Sequence, residues 1–87
     1  MAPKRTKKKI ANVVGPQLRK IRYGKGLTQE EFAVQCQVAG LNISRGTLSQ
    51  IEAQLRCVSE FELFQLSRIL KVPMDGLFPE EIRKRKI

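Results

Sequence analysis

The segment ISRGTLSQIE, residues 43–52, concentrates side chains that form directional hydrogen bonds. The Arg45 guanidinium can donate two parallel bonds to paired acceptors, and the Gln50 amide can both donate and accept. The hydroxyls of Thr47 and Ser49 can also do both. Apolar residues stand between them at helical spacing: Ile43, Leu48 and Ile51. The spacing predicts a helix with one buried face and one face able to recognise a partner by hydrogen bonds.

The distribution of charge indicates what kind of partner that is. The chain of 87 residues has a net charge of +9. Residues 1–29 contain nine Lys or Arg and no acidic residue, residues 30–79 have a net charge of −2, and residues 80–87 have +2. A near-neutral body with basic ends suits a polyanion, with nucleic acid favoured over an anionic membrane. Basic ends that only aid solubility are the alternative.

The composition argues against an enzyme. Without any His, the chain cannot form a Ser-His or Cys-His nucleophile pair, and a zinc site would lack its usual ligands. We therefore expect no catalytic residue, no metal and no cofactor. An apolar run long enough for a transmembrane helix or a secretory signal is missing, which predicts a cytoplasmic protein with Cys36 and Cys57 as reduced thiols.

Apolar spacing elsewhere predicts the elements that position residues 43–52. We expect a compact all-α domain of five short helices joined by short turns. The helices are predicted at about 13–24, 29–38, 45–53, 60–70 and 73–79. The domain organisation is a basic flexible arm at 1–11, the helical domain at 12–79 and a basic tail at 80–87.

Capping residues support these boundaries. Thr28 followed by Glu31 and Ser59 followed by Glu62 both read as capping boxes, and Ser44 reads as the cap of the third helix. Asn12 could cap the first helix, whose first turn accommodates a proline.

The fourth helix is more apolar than one buried stripe requires. Leu63, Leu66 and Leu70 line its expected inner face, and three further apolar residues widen the arc: Phe61, Phe64 and Ile69. The simplest interpretation places these three in the core. The alternative is a dimer face that uses part of this arc together with the fifth helix.

Three separate stretches of the chain resemble a known family. The stretches LTQEEFA, ISRGTLSQIE and LSRILKVPMDGLF are similar to those of Cro/C1-type (XRE-type) helix-turn-helix domains of phage and bacterial repressors. The resemblance covers about residues 13–78, and three separate motifs occur in the family's order. It implies a five-helix lambda-repressor-like domain that binds double-stranded DNA, typically as a homodimer on a pseudo-palindromic operator.

The resemblance also implies roles for individual residues. Arg22 and Glu52 match a pair that forms an internal salt bridge in several members. The residues expected to read base edges are Arg45, Gly46, Thr47, Ser49 and Gln50, where Thr47 is added for its hydroxyl and methyl groups. The residues expected to contact phosphate are Gln29, Gln54 and Arg56, together with the arm residues Lys4, Arg5, Lys7, Lys8 and Lys9.

The sequence departs from the family pattern before the third helix. Gln37 stands where members usually have Gly, and Val38–Asn42 reads as an insertion of five residues. We expect the insertion to lengthen the second helix or the turn, and so to affect the tilt of the third helix. Leu55 stands where Lys or Arg is common, which would remove one phosphate contact.

These observations favour a sequence-specific transcriptional regulator that reads the major groove with residues 45–53. We expect it in the cytoplasm of a bacterium or encoded by a phage, associated with the nucleoid and not with a membrane. The alternative is an antitoxin-like or other protein-interaction module with a possible protein partner and secondary DNA binding. An RNA-associated protein is a third class, but aromatic residues for base stacking are few, with Tyr23 the one Tyr.

Overall fold

A computed structural model of the chain describes residues 10–85. Its helices are α1 (Gly15–Gly24), α2 (Gln29–Val38), α3 (Arg45–Glu52), α4 (Glu60–Leu70), a 3-10 helix (Met74–Leu77) and α5 (Glu80–Arg83). No strand occurs in this part of the chain, and the predicted all-α fold is confirmed. None of the described helices has the length and apolar character needed to cross a bilayer. Residues 1–9 and 86–87 lie outside the described residues, and with them the arm residues Lys4, Arg5, Lys7, Lys8 and Lys9.

A short fifth helix was predicted over 73–79, and the structure has a helix within this range, of the 3-10 type. Residues Met74–Leu77 make a single 3-10 turn, and α5 begins only at Glu80. Two prolines explain the division, because Pro73 and Pro79 both adopt extended backbone immediately before these elements. A proline also disfavours helical backbone in the residue before it, and Phe78 is extended accordingly.

The predicted capping residues begin α2, α3 and α4. In α2 the Thr28 hydroxyl accepts from the Glu31 N–H (3.0 Å), while the Glu31 carboxylate accepts from the Thr28 N–H (2.9 Å). Ser59 and Glu62 form the same reciprocal pair at α4, and the Ser44 hydroxyl accepts from the Thr47 N–H at α3. These local predictions are confirmed. At α1 the residue in the N-cap position is Val14. The amide oxygen of Asn12, two residues earlier, accepts from the Gly15 N–H.

One hydrophobic core lies between the helices. Its buried residues are Val14, Leu18, Phe32, Cys36, Leu41, Ile43, Leu48, Ile51, Leu66, Leu70 and Leu77. The prediction that Phe61 and Phe64 belong to this core was wrong, because their exposed fractions are 83% and 47%. Leu66 and Leu70 fill the space beneath α4, so the opposite side of that helix faces away from the core. Ile69 packs partly against the core.

Four helices end in the same hydrogen-bonded turn, a Schellman motif, in which a left-handed residue follows the helix. At the end of α2, the Gly40 N–H donates to the Gln37 carbonyl (3.0 Å) and the Leu41 N–H to the Cys36 carbonyl (2.8 Å). The left-handed residues, from α1 to α4, are Gly26, Gly40, Gln54 and Lys71.

The motif at α2 explains how the extra residues Val38–Asn42 are accommodated. Gly40 has a φ of +92°, which turns the chain back at no steric cost. Leu41 then enters the core, and the Ile43 carbonyl accepts from the Gln37 side chain (3.1 Å). The insertion therefore lengthens the turn, and the turn is packed against the domain and hydrogen-bonded to it.

Candidate nucleic-acid interface

The outer face of α3 is where the structure places the expected base-reading residues. Leu48 and Ile51 are buried, while Arg45, Gly46, Ser49 and Gln50 are exposed on the same short helix. Thr47 is half-buried, and its hydroxyl accepts from the Ser44 hydroxyl (3.1 Å). Arg45 takes part in none of the ion pairs formed among residues 10–85.

A buried ion pair holds α3 against α1. The Arg22 Nε atom lies 2.7 Å from Glu52 Oε2, and the two side chains are 4% and 3% exposed. A second guanidinium nitrogen donates to Glu52 Oε1 (2.9 Å), and the third donates to the Leu27 carbonyl (2.7 Å). The hydrogen bond to Glu52 is the main reason why the pKa of Arg22 is raised. Arg22 thereby connects α1, the following turn and α3, and Glu52 faces inward.

Gln29 is attached to the same pair. It is the first residue of α2, and its side-chain amide donates to Glu52 Oε1 (3.0 Å). The N-terminal amides of a helix lack intrahelical partners and attract anions, so Gln29 stands at a suitable place for a phosphate. The ion pair therefore fixes the start of α2 relative to α3.

These elements surround an open groove with a volume of about 700 Å³, which we term the recognition groove. Gln29 lines it from α2, and Arg45 and Ser49 line it from α3. Arg19 and Tyr23 complete it from α1, with the Arg19 guanidinium 5.4 Å from the centre of the Tyr23 ring. The hydrogen bond from Arg19 is the main cause of the lowered pKa of Tyr23.

The sequence interpretation missed Arg19 and Tyr23. The two residues are four apart on α1, so they share one face, and each is within one turn of Arg22. That spacing, once Arg22 was linked to α3, could have indicated that they border the same groove.

The loop after α3 differs from expectation in its contacts. The Gln54 side chain donates to the Asn12 carbonyl (3.0 Å), and Arg56 donates two bonds to the Glu62 carboxylate (3.0 and 2.9 Å). Arg56 also donates to the Cys57 carbonyl (3.0 Å). Both side chains are thus bound within the domain, and their contact with phosphate stays a prediction.

The cysteines do not form a bond with each other. Cys36 is buried in the core and Cys57 is exposed. Burial raises the pKa of the Cys36 thiol to about 11, so this thiol stays protonated at neutral pH. Within residues 10–85 no group of three or more Cys, Asp or Glu converges in a way that could hold a metal ion.

Comparisons with solved structures reveal similar domains. The restriction-modification controller protein C.AhdI from Aeromonas hydrophila is 31% identical over 75% of this chain and 87% of its own, with a TM-score of 0.62. The DNA-binding domain of BldD is 24% identical over 80% of this chain and 94% of its own, with a TM-score of 0.66. A hypothetical transcription factor, NHTF from Neisseria, is 23% identical over 95% of this chain and 93% of its own, with a TM-score of 0.70.

A comparison with curated proteins finds no match. A helix-turn-helix family model, however, matches residues 18–77, which is most of the described domain and includes α2, the turn and α3. The chain therefore belongs to the Cro/C1-type helix-turn-helix family of DNA-binding regulators.

Proposed function

We propose that this protein is a sequence-specific transcriptional regulator that reads double-stranded DNA in the major groove with α3. The supporting observation is the division of α3: Glu52 is locked to Arg22 inside the domain, while Arg45 and Gln50 are exposed. We further propose that it acts in the cytoplasm of a bacterium, or is encoded by a phage, in association with the nucleoid.

The chemistry of the exposed residues suits base readout. A guanidinium such as that of Arg45 can donate to the O6 and N7 atoms of guanine, and an amide such as that of Gln50 can pair with N6 and N7 of adenine. Ser49 can bond to either bases or phosphate. Gly46 has open space around it, with the nearest heavy atom to an added Cβ 3.9 Å away, so it allows DNA close to the helix.

Contacts with phosphate would fix the register of α3. Gln29, the first residue of α2, lines the recognition groove, and Arg19 adds a positive charge to it. We assign the basic arm, Lys4 to Lys9, to phosphate contact as well, because its clustered positive charges suit a polyanion.

The exposed aromatic residues of α4 support a homodimer. Phe61 and Phe64 are one turn apart on α4, and Phe64 and Arg68 line a shallow pocket beside Ala39. Two copies joined through this face could read two half-sites of a pseudo-palindrome. Analytical ultracentrifugation of wild type and Phe61→Ser tests the assignment: the variant should shift towards monomer. A wild type that stays monomeric on its operator would instead favour the antitoxin-like alternative, in which another protein covers this face.

Selection from random duplexes tests the main proposal. We expect one enriched motif whose half-sites are about 10 base pairs apart, because two recognition helices must enter the major groove on the same side of the DNA. Arg45→Ala should then cost about 1–3 kcal/mol at one base position and little elsewhere.

A matched control is available on α4. Arg68 is exposed and stacks on Phe64, and its pocket includes Ala39 at the end of α2 opposite to the groove. Because Arg68 borders the proposed dimer face, Arg68→Ala is compared with wild type on a single half-site duplex, where it should leave the base preference unchanged. An equal loss on every sequence for Arg45→Ala would make Arg45 a phosphate contact, and selection without any enriched motif would contradict sequence-specific reading.

A further inference from the structure

Asn12 connects three segments of the domain through one side chain. Its amide nitrogen donates to the Ile51 carbonyl (3.1 Å) and to the Arg56 carbonyl (2.8 Å), which are 39 and 44 residues away. Its amide oxygen accepts from the Gly15 N–H (2.7 Å). Both amide hydrogens are used, so the side chain is held at the start of α1, the last turn of α3 and the loop that follows.

The backbone around Asn12 is tied to the same loop. The Ala11 N–H donates to the Gln54 carbonyl (3.1 Å), and the Gln54 side chain donates to the Asn12 carbonyl (3.0 Å). Gln54 has a φ of +66°, a left-handed conformation in which glycine is usual. A glycine would lack the amide that reaches Asn12, which gives a physical reason for Gln at this position. We term Ala11, Asn12, Gln54 and Arg56 the arm anchor.

Gly15 provides independent support for this close contact. A Cβ atom added at Gly15 would lie 2.3 Å from the Ile51 carbonyl oxygen and 2.9 Å from that of Glu52. Atoms cannot approach that closely without displacement. The start of α1 therefore rests directly on the backbone at the end of α3, and the arm anchor completes the contact.

The anchor determines where the arm leaves the domain. Ala11, which is bonded to the Gln54 carbonyl, lies beside the C-terminal end of α3, whereas Arg45 lies at its N-terminal end. Eight residues of helix separate these ends by about 12 Å. An extended arm of nine residues could span up to about 30 Å, close to one turn of DNA.

We propose that Asn12 is a positioning residue for DNA binding. By fixing residues 11–12 at the C-terminal end of α3, it directs the lysines and arginine of the arm to phosphates on that flank of the site. This inference rests on the proposed function. Holding the start of the arm beside the DNA keeps its charges at high effective concentration there, and an unanchored arm would spread over more positions.

A double-mutant cycle tests the inference on any duplex, because phosphate contact does not depend on sequence. The four proteins are wild type, Asn12→Ala, deletion of residues 2–9, and the combination, with affinity measured across a range of salt concentrations. The deletion removes five basic residues and should flatten the salt slope by up to about 4.5, since each phosphate contact contributes roughly 0.9. Asn12→Ala should weaken binding about three- to tenfold with the arm present and change it little without the arm.

The controls separate positioning from stability. Ser67→Ala removes a buried hydroxyl that donates to the Phe64 carbonyl (2.7 Å) in α4, so it perturbs the fold away from the anchor. Affinities are compared at a temperature where thermal unfolding shows every variant folded. Ser67→Ala should leave the salt slope unchanged.

Hydroxyl-radical footprinting on the selected duplex tests the direction of the arm. Deletion of residues 2–9 should uncover phosphates on the flank next to the C-terminal end of α3, and Asn12→Ala should weaken protection of the same phosphates. Uncovered phosphates on the Arg45 flank would overturn the assignment, and so would an equal effect of Asn12→Ala in both backgrounds. If wild type binds no duplex at any salt concentration, the proposed function itself fails.

Discussion

The two ends of α3 use similar residue types in opposite ways. At the N-terminal end, Arg45 is exposed, and Gln50 in the last turn is exposed on the same outer face. At the C-terminal end, Glu52 is buried against Arg22, and Gln54 bonds to the start of α1. Substitution of an exposed arginine or glutamine usually changes stability little, whereas the contacts of Arg22 with Glu52 and of Gln54 with Asn12 hold the domain together.

Burial, and not residue type, decides between these roles. A buried polar group must be hydrogen-bonded or it destabilises the fold, so Arg22 has all of its guanidinium nitrogens paired. An exposed group bonds to water until a partner replaces it. The buried contacts at the C-terminal end therefore set the geometry, and Arg45 and Gln50 remain exposed, as the proposed base reading requires.

Removing one partner of the buried Arg22–Glu52 pair should have the largest effect on stability. Glu52→Ala leaves the Arg22 guanidinium buried without its carboxylate, and Gln29 loses its hydrogen bond as well. We expect a loss of about 3–5 kcal/mol in the free energy of unfolding, measured by urea denaturation. Arg45→Ala, by contrast, should change it by less than about 0.5 kcal/mol.

The double variant Arg22→Met with Glu52→Leu serves as the control. It removes both charges and fills the space with apolar atoms, so it should recover much of the stability lost by Glu52→Ala. If the single variant were as stable as wild type, the pair would not hold α3 in place.

A second test concerns the contact between α1 and the end of α3. Gly15→Ala places a methyl group against the Ile51 carbonyl, at a distance that forces the two helices apart. We expect a loss of about 1–3 kcal/mol in stability. Gly24→Ala is the matched control, because an added Cβ there meets no heavy atom within 4 Å and its backbone is not left-handed. Equal stability of the two variants would contradict the close contact.

Local signals predicted the helix starts well, because their partners are close in sequence. Thr28 and Glu31 are three residues apart, and so are Ser59 and Glu62, so each box could be read directly and its hydrogen bonds are present. Apolar spacing was equally informative for α3, where Leu48 and Ile51 are buried as expected.

Contacts between distant segments could not be read in this way. Asn12 was interpreted as a local cap, and its amide oxygen does accept from the Gly15 N–H, but its bond to the Arg56 carbonyl at a separation of 44 residues was not predicted. Phe61 was assigned to the core because it widens the apolar arc of α4, but the spacing did not show that Leu66 and Leu70 alone would fill the buried side of that helix. Packing between elements decided both outcomes.

Gly46, in the first turn of α3, contrasts with Gly15, which lies against the last turn of that helix. Gly46 lies in a helix and has open space, so Gly46→Ala should stabilise the fold by about 0.5–1 kcal/mol, the reverse of Gly15→Ala. The same methyl group would stand between the helix and DNA if Gly46 faces base edges. Thermal unfolding and binding to the selected duplex should therefore change in opposite directions. A variant that gains stability without losing affinity would place Gly46 away from the DNA.

The smallest expected effect belongs to the Arg56–Glu62 pair beside the arm anchor. The hydrogen bond from Arg56 lowers the pKa of Glu62 and outweighs the effect of burial. A carboxyl whose pKa is lower in the folded state stabilises the fold above its unfolded pKa, near 4.3, and loses that contribution as pH falls through the folded value.

Wild type should therefore lose more stability than Glu62→Gln between about pH 5 and pH 3, by a few tenths to 1 kcal/mol, since the pair is partly exposed. Urea midpoints at the two pH values measure this difference, and glutamine keeps the capping interaction with Ser59. If both proteins showed the same pH dependence, Arg56 would not be held by Glu62 in solution. Its guanidinium would then be available for phosphate, and the two ends of α3 would be more alike than the structure indicates.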